Sequence, residues 1–206
     1  SYLTYDVTFN TSNYVIKDGE TKKVSFVYIK DSIGAGLDYV LDDSDNPLTV
    51  EVSDNSDSPN STTSLSPADS SFATQENAVS PKYFLKGADN ESPRAFTIII
   101  PWLDGEGNPV FDDDAVVTVT YSAKVNSDVG EVEGTTPAEN SINAARITYD
   151  IVAPDGIPEE EGEGSETAIG EDEVSTAVYA LGIQKYDGRT MRPLSNAHFK
   201  VEVKGI

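Results

Sequence analysis

Cysteine is absent from the 206 residues, and histidine and methionine occur once each. Without cysteine there is no disulfide, no thiol nucleophile and no thiolate zinc site. The single histidine, His198, leaves most triad and metallo-hydrolase chemistry short of a base or of ligands. Basic residues are scarce as well: 14 Lys and Arg stand against 36 Asp and Glu, a formal charge of −22. So few cations give little grip on a phosphate backbone or on an anionic membrane surface. No apolar run reaches the roughly 18 residues that suggest a membrane-spanning helix, and no initiator Met, basic leader or cleavage-site pattern is seen. The sequence opens directly on the strand-like Ser1-Tyr2-Leu3-Thr4-Tyr5, which reads as a fragment or a processed chain.

What is present points to strands. Ten tyrosines and Val/Thr-rich runs are cut by 15 Gly and 11 Pro, the composition of an all-β protein. Residues 3–9 (LTYDVTF) alternate, with Leu3, Tyr5, Val7 and Phe9 on one face, the period of a half-buried strand. Further strands are expected at 23–31, 48–52 and 82–85. The segment 95–101 (AFTIIIP) is apolar enough to lie inside a sandwich. The longest strand is expected at 115–125, with Val117, Val119, Tyr121, Ala123 and Val125 on one face; 142–152 places Asn143, Ala145, Ile147, Tyr149 and Ile151 together. Residues 53–80, a Ser/Asn/Asp/Pro/Thr tract poor in large apolar residues, are expected to form a long exposed loop. Residues 154–177 hold many carboxylates and no basic residue, as an acidic linker or extended loop would. Strands resume at 178–185 and 198–203 around the turn Asp187-Gly188-Arg189.

Other constellations are weaker. Asp42-Asp43-Ser44-Asp45-Asn46, and 104–108 with Asp112-Asp113-Asp114, are rich in oxygen ligands, yet neither has the spacing of an EF-hand loop. Solvated acidic turns describe them better, and no metal or cofactor is expected. Scattered carboxylates with no aromatic cluster do not make a sugar cleft. Trp102 falls in a strand-end segment, and His198 reads as a surface or packing residue.

The segments LTYDVTF, VSFVYIKDSIGAGLDY, LTVEV, FTIIIPWL, VTVTYSAKVN and NSINAARITY, in that order over roughly residues 1–152, resemble the isopeptide-forming domain of Gram-positive, sortase-assembled backbone pilins. The strand-Asp-turn-Gly-Leu element at 31–37 and the Asn-x-Ala-x-Ile-x-Tyr strand at 143–149 are the most specific. The tail at 183–203 resembles the opening hairpin of a collagen-adhesin B-type domain. The resemblance implies an all-β architecture: an immunoglobulin-like β-sandwich (collagen-adhesin A-type) over 1–153, its first strand expected outside this sequence, the acidic segment 154–177, and the first strands of a second β-sandwich over 178–206.

In that family a strand lysine is joined to an asparagine by a spontaneous amide bond, promoted by a buried acid. Burial explains the residue types: it disfavours charge, leaving the lysine neutral to attack and the acid protonated to polarise the carboxamide. The resemblance matches Asn143 to the asparagine and Asp31 to the promoting acid, with Asn140 the fallback asparagine. Asp31 lies on the Val27 and Ile29 side of its strand, and Asn143 heads an apolar stripe where an unpaired amide would be costly. No residue matches the lysine, which in the family lies on a strand before LTYDVTF; Lys17, Lys22, Lys23 and Lys30 fit exposed positions better. Lys185 matches the lysine of the B-type domain, whose asparagine partner would lie beyond Ile206.

The resemblance implies a structural role: a subunit of a cell-surface pilus or fimbria, stabilised by self-formed Lys–Asn bonds, polymerised by sortase and anchored to a Gram-positive cell wall. Its partners would be other pilin subunits. A single-turnover self-modification is not enzymatic activity. The alternative is an adhesin or accessory pilin binding a host or matrix ligand. The Tyr-Pro-Lys element that would favour the shaft role does not occur in the sequence. The tract at 53–80 offers no apolar patch of the kind a binding surface would need.

Overall fold

The computed structural model describes residues 2–42, 44–45, 47–54, 61–68, 81–129, 137–151 and 167–177. Twelve strands make up almost all of this: β1 (Tyr2–Asn10), β2 (Tyr14–Lys17), β3 (Glu20–Lys23), β4 (Phe26–Ile33), β5 (Leu37–Val40), β6 (Thr49–Ser53), β7 (Thr62–Pro67), β8 (Lys82–Gly87), β9 (Ala95–Pro101), β10 (Val116–Val125), β11 (Ile142–Asp150) and β12 (Thr167–Ala177). One helical turn, α1 (Pro137–Asn140), precedes β11.

Ten strands join in the order β1-β10-β6-β7-β8-β9-β4-β11-β12, with β5 also paired to β10, while β2 and β3 form a separate hairpin. All neighbours are antiparallel except β7 and β8, whose short parallel pairing links the two halves of the sheet. The halves curl over one another. Val117, Val119, Tyr121 and Ala123 of β10 point in from one half; Val27, Ile29, Asp31 and Ile33 of β4 and Ala145, Ile147 and Tyr149 of β11 point in from the other, all buried. The alternation along these strands is what closes the core: each residue two steps on returns to the same face. Tyr5, Val7 and Phe9 complete it from β1, and Trp102 and Phe111 from the loops beyond β9.

A second, smaller apolar cluster of Phe26, Tyr28, Phe84 and Ile99 lies on the opposite face of β4, β8 and β9. Hence β4 is apolar on both faces at its start and reads FVYI without alternation, as a doubly covered strand does.

Several segments differ from expectation, among them β5, which was not expected as a strand. Residues 62–67, inside the tract expected to be loop, form β7, because the one buried apolar residue there, Leu65, pairs with Val50 of β6 and anchors the strand. The hairpin of β2 and β3 was not anticipated; it turns at Asp18 and Gly19, both at positive φ (52° and 80°), the Asp-Gly chemistry of a tight two-residue turn. Residues 167–177, within the segment expected as linker or extended loop, run antiparallel to β11 as β12. Lys185, His198 and the rest of 178–206 lie outside the described residues, as do 152–166.

Candidate functional site: a buried carboxylate, amide and tyrosine cluster

β4 and β11 are antiparallel neighbours in which Ala145 stands opposite Asp31 and Asn143 opposite Ile33. Asp31 and Asn143 are therefore diagonal, one step apart on the inward face, where side chains of adjoining strands meet. The register is set by the chain just before β11. Ile142 O accepts from Gly34 N (2.8 Å) and Asn140 O from Gly36 N (2.7 Å). Glycine is required for that approach: a Cβ on Gly34 would lie 2.3 Å from Glu139 O, and one on Gly36 2.3 Å from Val129 Cα. The Gly-Ala-Gly turn after Asp31 thus lets α1 dock and aims Asn143 at the carboxylate.

Both residues are almost wholly buried, with Asp31 1% and Asn143 2% exposed. Tyr39 Oη donates to Asp31 Oδ1 at 2.6 Å, and Tyr121 Oη donates to Asp31 Oδ2 at 2.7 Å. Asn143 Nδ2 donates to Asp31 Oδ1 at 3.2 Å and also to Tyr121 Oη. Tyr121 thereby bridges acid and amide. Aromatic packing fixes the hydroxyls: Tyr121 stacks on Tyr5 with ring centres 5.3 Å apart and meets Phe96 edge-on at 5.2 Å, and Tyr39 meets Phe96 and Tyr121 at 5.0 and 5.8 Å.

Burial pushes the Asp31 carboxyl above its ordinary range, against the opposing pull of the Tyr39, Tyr121 and Asn143 hydrogen bonds. The Tyr39 and Tyr121 hydroxyls are driven far up, first by burial and next by the Asp31 charge, so both stay protonated donors. Among the described residues the hydrogen-bond partners of Asp31 are these two tyrosines and Asn143, none of them a cation.

The described lysines with an assigned bond are spent elsewhere: Lys22 pairs with Glu20 at 2.5 Å, and Lys23 donates to Gly107 O at 2.7 Å. Lys30, next to Asp31 in β4, is exposed, one residue out of phase with the inward face. Asn140 is buried too, but its backbone carbonyl holds the Gly36 turn. Two carboxylates of the oxygen-rich acidic turns serve local structure. Asp104 Oδ1 accepts from the backbone N–H of Glu106 (2.9 Å) and Asn108 (2.8 Å). Asp113 Oδ1 accepts from Asn13 N at 2.8 Å. Asp43 and Asn46 lie outside the described residues.

Sequence reasoning passed over Tyr39 and Tyr121 as participants. Tyr121 had been placed on the inward face of its strand; the missing signal was that an inward tyrosine must bring its hydroxyl a polar partner, and inward acids are rare.

The fold is shared with a solved structure. The chain superposes on the crystal structure of group B streptococcus pilus 2b backbone protein with a TM-score of 0.54 at 22% identity, covering 94% of this chain and 58% of that one. The N-terminal domain of the Streptococcus gordonii adhesin Sgo0707 gives 0.45 at 17% identity, over 86% of this chain and 28% of that one. The chain therefore spans less than two thirds of the length of either. No protein-family model matches the sequence, and no curated protein matches it.

Proposed function

We propose that this chain is part of a structural subunit of a bacterial surface fibre, and that Asn143 is the acceptor of an internal amide cross-link promoted by Asp31. The carrying observation is the buried pair itself: a carboxyl with no cationic partner among the described residues, raised by burial, in hydrogen-bond contact with a buried carboxamide. A group arranged for stability alone would carry a counter-charge or be apolar. Support for the fibre role comes from the fold shared with a pilus backbone protein, and from the resemblance of the segments around Asp31 and Asn143 to backbone pilins.

The chemistry balances without a cofactor. A neutral lysine amine attacks Asn143 Cγ; the new C–N bond forms as the Cγ–Nδ2 bond breaks. One amine proton passes by way of Asp31 to the departing nitrogen, and ammonia leaves. A protonated Asp31 would donate to the amide oxygen and draw charge from Cγ. That requires the carboxamide turned so that its oxygen faces Asp31, an orientation that exchanges oxygen and nitrogen in nearly the same volume. The event happens once per molecule, so the protein is not an enzyme. Sortase-linked polymerisation and anchoring to a Gram-positive cell wall complete the proposal, with other pilin subunits as partners.

An amide tie across the core would limit the unfolded ensemble as a disulfide does, with no need of an oxidising compartment, in a chain without cysteine. The test is the denatured intact mass of the full-length protein, with peptide mapping around Asn143. A deficit of one ammonia, with the Asn143 peptide joined to a lysine peptide, is expected. An unmodified Asn143 peptide and a mass equal to the sequence would sink the proposal.

A further inference from the structure

The scarce cations of this chain are not spread evenly. Lys86 of β8, Thr97 of β9, Lys30 of β4 and Arg146 of β11 stand in one register row: Lys86 opposite Thr97, Thr97 opposite Lys30, and Lys30 opposite Arg146. Lys30 is one step out of phase with buried Ile29 and Asp31, so the row lies on the outer face of the sheet. Three of the 14 basic residues thus meet on one line, in a molecule of formal charge −22. Like charges directly opposite on neighbouring strands are destabilising, yet Lys30 is set beside Arg146 although the sequence holds 36 acids. Lys30 is exposed and makes no ion pair among the described residues. On its far side Arg146 stands opposite Glu173 of β12, which closes the row.

The row floors an open groove of about 710 Å³, within the range of ligand sites. Its wall is the turn between β8 and β9. There Asp89 Oδ1 accepts from the backbone N–H groups of Glu91 and Ser92, both at 2.9 Å. These bonds fix the turn, and exposed Glu91 lines the groove with Asp89. A second hollow of about 310 Å³ shares Lys30 and Arg146 with the first. The lining is therefore of two kinds, with cations along the floor and carboxylates on the wall.

Such a lining selects by chemistry. A uniformly anionic ligand is drawn by the floor and repelled by the wall. A ligand with both an anion and hydroxyl donors satisfies both, because an ionised carboxylate accepts hydrogen bonds and donates none. We infer that this groove binds an acidic saccharide, with a sugar carboxylate on Lys30 and Arg146 and sugar hydroxyls donating to Asp89 and Glu91. Lys86 stands two strand spacings from Lys30, about 9–10 Å, so a second carboxylate farther along an extended sugar chain meets it. The groove lies on the face of β4 opposite to Asp31, and its occupancy does not depend on the cross-link proposed above.

The test uses the full-length protein and a tetrasaccharide of alternating glucuronate and N-acetylglucosamine, with binding followed by calorimetry. The same tetrasaccharide with its carboxyls reduced to alcohols, and inorganic sulfate, are the comparisons. Wild type is expected to bind the acidic sugar, more weakly as salt is raised, and to ignore the reduced one. Lys30→Gln should weaken binding about tenfold, the size of a lost bond to a charged group, and Lys30→Arg should retain it. Lys124→Gln removes the same charge from an exposed position of β10, in the other half of the sheet, and should change nothing. Glu91→Ala should weaken the sugar a few-fold and leave sulfate no weaker.

A wild type that does not bind the acidic sugar overturns the inference. So does equal affinity for the reduced tetrasaccharide, or an equal loss in Lys30→Gln and Lys124→Gln, which would trace the effect to overall charge. Sulfate bound as tightly as the sugar would mean an adventitious ion only, and overturns it too. Self-association abolished by Lys30→Gln, with no sugar bound, would assign the row to a contact between copies of this chain instead. Linkage at Asn143, read by mass on the same samples, enters none of these outcomes.

Discussion

Of the three asparagines buried among the described residues, Asn13 and Asn143 lie near opposite ends of the core and are treated differently. At one end Asn13 is 5% exposed. It donates from Nδ2 to Phe111 O at 2.9 Å and accepts at Oδ1 from Trp102 Nε1 at 2.7 Å. Its backbone N–H donates to Asp113, and Thr11 Oγ1 donates to Ala115 O close by at 2.6 Å. Every partner is neutral or at the surface, and both ends of the carboxamide are in use. At the other end Asn143 meets a buried acid and a tyrosine through its nitrogen. The first arrangement is a closed polar network that fixes a loop against the core; such networks specify structure when they are complete. The second keeps an ionisable group buried at a cost to folding. Two buried asparagines in one core thus sit in opposite electrostatic settings, and their neighbours make the difference.

Substitutions that separate the two ends follow, from the largest effect to the smallest. Trp102→Ala should cost about 3–5 kcal/mol, because it removes a fully buried ring packed at 4.8 Å from Phe111 and also strips the donor from Asn13. Urea unfolding measures it, and a loss below 1 kcal/mol would show that this end is dispensable.

Asn13→Ala should cost about 1–3 kcal/mol by leaving the Trp102 N–H and the Phe111 carbonyl unpaired. The loss should be independent of pH, since no buried acid takes part.

The other end should be pH-sensitive. The Asp31 carboxyl is raised on folding, so the folded chain holds its proton more tightly than the unfolded chain. Its contribution is therefore fully present below the ordinary carboxylate range and fades as pH climbs through the raised value, by at most about 1.4 kcal/mol per unit. Asp31→Asn should remove that slope, so the stability difference between variant and wild type should shift in the variant's favour as pH rises from 3 to 7. Parallel unfolding curves for the two across that range would show that Asp31 titrates as an ordinary exposed acid.

These contrasts also show what a sequence can disclose. The alternation in 3–9 was readable because one face of β1 is buried and the other largely exposed, and that in β10 and β11 because a fully buried face alternates over much of each strand with a half-buried one. The turn after Asp31 was readable because two glycines flank a point where α1 presses on the backbone. Strand β7 escaped notice because it owes its place to a single residue, Leu65, in an otherwise polar tract, and to a partner strand that only the tertiary fold supplies. The hairpin of β2 and β3 was overlooked although Asp18-Gly19 announced it. At the site, Asp31 and Asn143 were reached through the family resemblance, and their polar side chains on apolar faces agreed with it. Tyr5, Tyr39 and Tyr121 did not, because a tyrosine in a strand satisfies the apolar pattern with its ring and conceals what its oxygen will meet.

The pairing of β1 with β10 joins residues more than a hundred positions apart. During synthesis Tyr5, Val7 and Phe9 must therefore wait, uncovered, until the chain has grown past residue 125. The wait for Asn143 to meet Asp31 is longer still, since β11 follows β10. Topologies dominated by such distant pairings fold slowly, and their unpaired apolar strands invite association while they wait. The carboxylate–amide pair can thus assemble only when the sheet is nearly closed, and the arrival of β11 acts as a clock: the meeting of Asn143 with Asp31 reports that the strands before it are already made.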